Sequence, residues 1–161
     1  MTNEINFWEN NFEKGYYDKL ITTGLQNGNN FQSNWHNCTY LNIKKYINAH
    51  DNHLDYACGS GTFIGRYLYR NSVGVDIAVS QINYARENFG KNNSFYSLNE
   101  FKKLNSSKFD IVTILGLIEF LNDDQVNQLL EDIKNLIKTN GRVVITTPNF
   151  SKSFLFIQRI S

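Results

Sequence analysis

The chain has 161 residues, enough for one domain, and 41% of them are hydrophobic, enough for a packed core. Sixteen Lys and Arg face fifteen Asp and Glu, so no overall field draws in nucleic acid or an anionic membrane, and neither is an expected partner. The first residues lack the basic start and apolar stretch of a signal peptide, and no apolar run approaches membrane-spanning length, so the expected location is cytoplasmic. Cys38 and Cys58 have neither metal-ligand spacing nor a disulfide framework; they read as structural thiols, and no metal is expected.

In chain order, Phe12, Tyr16 and Leu20 recur on one helical face with Tyr17 and Ile21 beside it, and a polar stretch from Gln26 to Asn34 leads to Trp35-His36. Residues 1–36 thus read as an N-terminal helical extension, either packed on the edge of the main domain or closing over its site as a lid, with residues 37–161 forming the domain itself. A helix carrying Tyr40, Ile43 and Ile47 precedes a first strand from His53 to Ala57, and a second helix, Thr62 to Tyr69, starts inside a glycine turn. A second strand runs from Ser72 to Asp76. Ser80 is placed to cap a helix with Ile82, Ala85 and Phe89 on one face, before a third strand from Ser94 to Leu98. The fourth strand, Phe109 to Leu115, is a continuous apolar run. Asp123 or Asp124 is placed to cap a helix marked by Val126, Leu129, Leu130, Ile133 and Ile137, closed by Asn140-Gly141 before a fifth strand from Arg142 to Thr147. Strands alternating with helices predict an α/β fold, a three-layer sandwich around a mostly parallel sheet.

The motif richest in chemistry is Leu54-Asp55-Tyr56-Ala57-Cys58-Gly59-Ser60-Gly61, followed by Gly74-Val75-Asp76-Ile77. An acid, a glycine turn into a helix, and a second acid ending the next strand suit an adenosine-containing cofactor. Together with Phe109-Asp110-Ile111-Val112, Gly116 to Leu121, and Asn140 to Asn149, these blocks resemble class I S-adenosylmethionine-dependent methyltransferases over roughly residues 41–149. Ala57 stands where many members of that family have the first glycine. The resemblance implies a Rossmann-like sheet ordered 3-2-1-4-5, S-adenosylmethionine as cofactor, and methyl transfer as the reaction.

In that setting the backbone of Ala57, Gly59, Ser60 and Gly61 approaches the cofactor closely, and the helix N-terminus favours its carboxylate. Asp55 faces its ammonium group, Asp76 accepts from both ribose hydroxyls, and Ile77 lies against adenine. Asn99 is positioned for the adenine edge, with Leu98 and Glu100 as neighbouring alternatives, and Gly116 leaves room for cofactor and acceptor. A glycine turn used only for strand-to-helix packing is the plain alternative. An NADP site is another, since Gly59, Gly61 and Gly65 also suit a dinucleotide turn. Against it, a carboxylate at Asp55 would be repelled by a pyrophosphate by roughly 4 kcal/mol at about 4 Å.

The cofactor supplies the electrophile, so no covalent enzyme nucleophile is required. If the acceptor needs a base, Glu119 and His36 are the candidates, against plainer roles as a loop anchor and a packed histidine; the family pattern often has His at the position of Phe120. His50 and His53 read as surface or core residues, and Tyr16 and Tyr17 as packing or substrate contacts. The acceptor is expected to be a small molecule, with a protein acceptor as the alternative. The resemblance also implies a sixth and a seventh strand. Only residues 150–161 follow the fifth, with Ser153 to Ile157 resembling the start of a helix, so the expectation is a truncated chain, or one whose exposed fifth-strand edge a partner or oligomer covers. A non-catalytic cofactor-binding fragment or pseudo-enzyme is the second functional reading.

Overall fold

A computed structural model describes residues 2–28, 30–68, 70–104 and 108–148. Its centre is a five-stranded parallel sheet built from β1 (His53–Tyr56), β2 (Val73–Asp76), β3 (Ser94–Ser97), β4 (Phe109–Leu115) and β5 (Ile137–Thr146), in the order β3-β2-β1-β4-β5. Asp55 lies beside Gly74 on one side and Thr113 on the other, which fixes the register of the central strands. Because side chains alternate along a strand, Leu54, Val75, Val112 and Ile114 share one face, where they pack with Phe101, Leu129 and Ile133. His53, Asp55 and Thr113 belong to the opposite face. There Phe63, Ile64, Ile82, Ala85 and Phe95 form the second half of the core. The tail from Phe150 to Ser161, expected to open a further helix, lies outside the described residues. At the β5 edge Val143 and Ile145 are partly exposed.

Helices flank the sheet: α1 (Thr2–Asn11), α2 (Tyr16–Gln26), α3 (Phe31–Ile43), α4 (Val79–Phe89), α5 (Leu98–Phe101) and α6 (Asp123–Leu136). The glycine turn opens into a wide π-helical turn, Phe63–Leu68, where an α-helix was expected. Several helix ends also differ from the sequence expectation, each for a local reason. The cap of α6 is Asn122, not Asp123 or Asp124, because Asn122 and Gln125 bond reciprocally to each other's backbone amides. That helix stops at Leu136, and Ile137 turns extended to pair with Phe109. The next matched pair is Ile111 with Arg142, so residues 138–141 bow out of the ladder and Asn140-Gly141 lies inside β5. Strand β3 ends one residue early because the Ser97 hydroxyl caps α5 in a box with Glu100, which puts Leu98 and Asn99 on a helix. Most of the polar stretch from Gln26 is not loop: Asn30 caps α3, which carries Trp35 and His36, and the boundary expected after residue 36 falls inside that helix.

Ser80 does not cap α4. Its N-terminal amides at Val79 and Ser80 are met by the Glu9 carboxylate from α1, a negative group at the positive end of the helix dipole. A second tether is Asp18 on α2, buried yet paired through both oxygens with Arg66 at 2.5 and 2.7 Å, while the Tyr84 hydroxyl donates to it at 2.8 Å. The Gln81 side chain is a third, donating to the Glu13 carbonyl and accepting from the Gly15 amide. Removing Asp18 strips the buried half of the Arg66 pair and leaves the Tyr84 hydroxyl without its acceptor. Asp18→Ala is therefore expected to lower stability by about 3 kcal/mol, read from the urea midpoint at unchanged m-value.

Candidate functional site

In a parallel sheet of this order, connections leave in opposite directions from β1 and β4, so a crevice opens at their C-terminal ends. The residues ending β1, β2 and β4 meet there. After Tyr56, Ala57 adopts φ 66°, the one non-glycine with positive φ among the described residues, and the Cys58 amide then bonds the Val75 carbonyl at 3.0 Å. Gly61 has φ 72°, and a Cβ there would sit 2.7 Å from the Phe95 ring and 2.8 Å from Ala85. Gly61 therefore serves close packing of the turn on β3 and α4. Gly59 faces the other way, under the ring of Tyr17. The Ser60 hydroxyl donates to Gln81 at 2.8 Å, so its side chain ties the turn to α4 and its backbone is what remains for a ligand.

The second acid is integral to this turn. Asp76, half-buried, accepts from the Gly59 amide at 2.7 Å through one oxygen and from the Ala78 amide at 2.9 Å through the other. Burial raises its pKa, while the amides of Ala78, Gly59 and Ile77 hold it down and Glu9 adds a small upward push. Asp55 is only 2% exposed. Burial pushes its carboxyl up to about 7; the hydrogen bond from Thr113 opposes this and Asp76 adds to it. The Thr113 hydroxyl donates to Asp55 at 2.6 Å. Its oxygen lies 2.9 Å from His53 Nε2, and His53 Nδ1 lies 3.0 Å from the Ser72 hydroxyl. With the Thr113 proton given to Asp55, His53 donates through Nε2 and accepts from Ser72 through Nδ1. Desolvation, helped by Arg70, lowers the pKa of His53 to about 3, so this buried ring is a neutral link in the chain Ser72–His53–Thr113–Asp55.

The N-terminal helices wall the crevice with rings. Trp8 meets Phe120 edge-on at 5.1 Å, Phe12 stacks near Tyr17, and His36 packs between Tyr17 and Tyr40. Burial lowers the pKa of His36 to about 4, which weakens it as a base near neutral pH. Tyr17 is raised to about 12 by burial, then by Tyr16, Asp76 and Glu119, so its phenol senses both acids. Glu119 follows Gly116, which ends β4 at φ 69°; one Glu119 oxygen lies 3.5 Å from the Cβ position of that glycine, and the other is buried without a hydrogen-bond partner. Ile77 sits beside Asp76, half-buried. Asn99 lies exposed in the first turn of α5, while Glu100 is taken up by Arg86 and Ser97. Asp55, Ala57, Gly59, Ser60, Gly61, Asp76, Ile77 and Gly116 thus line neighbouring strand ends, with Asn99 one strand further out.

Thr113, Gln81 and the linking role of His53 escaped the sequence reading. A lone threonine inside the run Phe109 to Leu115 and a histidine two residues before an acid were the available signals, since polar groups in buried strands need partners.

The parallel sheet ordered β3-β2-β1-β4-β5 with its flanking helices is the α/β methyltransferase fold. Residues 47–160 match the family described as a methyltransferase domain, and the chain belongs to that family. Among solved structures, the TehB-like SAM-dependent methyltransferase from Corynebacterium glutamicum is 21% identical, covering 89% of this chain and 80% of its own, with a TM-score of 0.62. The PH0226 protein from Pyrococcus horikoshii is 24% identical over 81% of this chain and 61% of its own, also at 0.62. PKMT2 from Rickettsia typhi, solved in complex with AdoHcy, is 24% identical over 59% of this chain, with a TM-score of 0.50; the match spans only 20% of that longer protein. At these identities the likeness is one of fold. No curated protein sequence matches the chain.

The residues present fit the family's cofactor, S-adenosylmethionine. The Asp76 carboxylate is already oriented by two amides, Asp55 is a buried acid suited to an ammonium partner, and the two carboxylates lie close enough for Asp76 to raise the pKa of Asp55, a pairing that a cation would relieve. When bound, the cofactor supplies a methyl group on a positively charged sulfur. The left-handed backbone at Ala57 carries a side-chain penalty that glycine lacks. Ala57→Gly is accordingly expected to stabilise the protein by about 1 kcal/mol, a rise of roughly 3 °C in the thermal midpoint.

Proposed function

We propose that this chain transfers a methyl group from S-adenosylmethionine to a small-molecule acceptor. The observation that carries this reading is the pair of carboxylates at adjacent strand ends, with Asp76 bonded to the glycine turn itself. In this reading Asp55 takes the ammonium group, Asp76 the two ribose hydroxyls, and the backbone of Ala57, Gly59, Ser60 and Gly61 the carboxylate end. Ile77 and Asn99 bracket adenine, and Gly116 leaves space where cofactor and acceptor meet. Residues 1–36, comprising α1, α2 and the start of α3, act as a lid whose rings exclude water from the reacting atoms. The remaining work is alignment, with Glu119 the stronger of the two candidate bases because burial raises its pKa while lowering that of His36 to about 4.

Calorimetry with S-adenosylhomocysteine tests the site. Asp76→Ala is expected to weaken binding about 100-fold, the loss of two charge-assisted hydrogen bonds; undiminished binding would refute the ribose role. For Asp55, the folded-state carboxyl at about 7 stands above its ordinary 3.8. Without ligand the folded protein therefore holds a proton that the unfolded chain releases above about pH 4, and stability falls as pH rises through 7. An ammonium partner selects the ionised form, so affinity is expected to rise about tenfold from pH 6 to pH 8. Asp55→Asn flattens that dependence. Release of S-adenosylhomocysteine from S-adenosylmethionine in the presence of fractionated small metabolites then reports turnover.

A further inference from the structure

We propose that the acceptor is a small amine, bound as its ammonium between the Glu119 carboxylate and the rings of Trp8, Tyr17 and Phe120; this rests on the methyl-transfer reading above and specifies its substrate class. Glu119 lies in the short 3-10 turn Ile118–Phe120 that follows β4, beside the glycine that ends that strand. One of its oxygens is buried with no hydrogen-bond partner. A carboxylate drawn out of water in this way is destabilising unless a cation or donor arrives to meet it. Among the described residues, cations pair with other acids: Arg66 with Asp18, Lys14 with Glu87, Lys19 with Glu13, Arg86 with Glu100, Lys134 with Glu131, Lys138 with Asp110 and Arg142 with Asp51. The cofactor accounts for Asp55 and Asp76, which leaves Glu119 as the third acid of the crevice.

The rings fix the kind of cation. Trp8 and Phe120 meet edge-to-face, and Tyr17 lies over Gly59 within the field of both Asp76 and Glu119. Aromatic faces beside a carboxylate hold an alkylammonium by cation–π attraction and a charge-assisted hydrogen bond together. A carboxylate or phosphate acceptor would meet the unpartnered Glu119 carboxylate and be repelled. The chemistry balances without a further reagent. The bound ammonium passes one proton to Glu119, and the freed nitrogen lone pair forms the new N–C bond to the methyl carbon as the S–C bond breaks. The electron pair of that bond stays on sulfur, the product leaves as the methylated ammonium, and Glu119 returns its proton to water.

The test is calorimetric titration at pH 7.5 of the chain saturated with S-adenosylhomocysteine, using benzylamine, benzyl alcohol and benzoate as probes of one shape and different charge. Benzylamine is expected to bind at least tenfold more tightly than benzyl alcohol, with benzoate weaker still, and Glu119→Gln is expected to bring benzylamine down to the level of the alcohol. Saturable S-adenosylhomocysteine binding by the variant certifies that it is folded. Absent benzylamine binding, equal binding of the alcohol or benzoate, or an unchanged preference in Glu119→Gln would overturn the proposal. So would a loss of affinity in that variant confined to S-adenosylmethionine, which would assign Glu119 to the sulfonium. Failure of the wild-type chain to bind S-adenosylhomocysteine at all would instead sink the methyl-transfer reading.

Discussion

The bond from the Gly59 amide to the Asp76 carboxylate joins the turn after β1 to the end of β2, and the architecture of the crevice follows from it. An acid withdrawn from water needs donors, and here backbone amides supply them at positions that only a tight turn can reach. The turn in turn needs its left-handed residues and the close packing of Gly61 on Phe95. Local backbone conformation, core packing and charge placement are thus one constraint seen at three scales.

The second acid obeys the same rule by other means. Asp55 has no turn to supply amides, so side chains from neighbouring strands do it: Thr113 donates to it, and His53 and Ser72 support Thr113 from behind. Such a fully connected polar chain tolerates burial where an isolated carboxylate would not. It also leaves Asp55 poised near neutrality, where an arriving cation decides its charge.

Much of this was legible in the sequence. The fourth strand was plainest, because a buried parallel strand is continuous in hydrophobicity; the others followed from short strand-like segments alternating with helical ones, and the acid–glycine–acid pattern located the strand ends that carry the site. What was not legible depended on partners distant in the chain. Glu9 substitutes for a cap on α4 from some seventy residues away, so Ser80 looked like the capping residue when it was not. The end of α6 was misplaced because Ile137 continues the helical period yet gains more by pairing with Phe109 in the sheet. Nothing in the local sequence marks Asp18 or Gln81, and only the docking of α2 on α4 reveals them as tethers.

Gln81 accepts at a single oxygen from both the Ser60 hydroxyl in the glycine turn and the Gly15 amide at the joint between α1 and α2. One side-chain amide thereby couples the bend after β1 to the joint between the first two helices, so a change at this single position loosens two distant backbone segments at once.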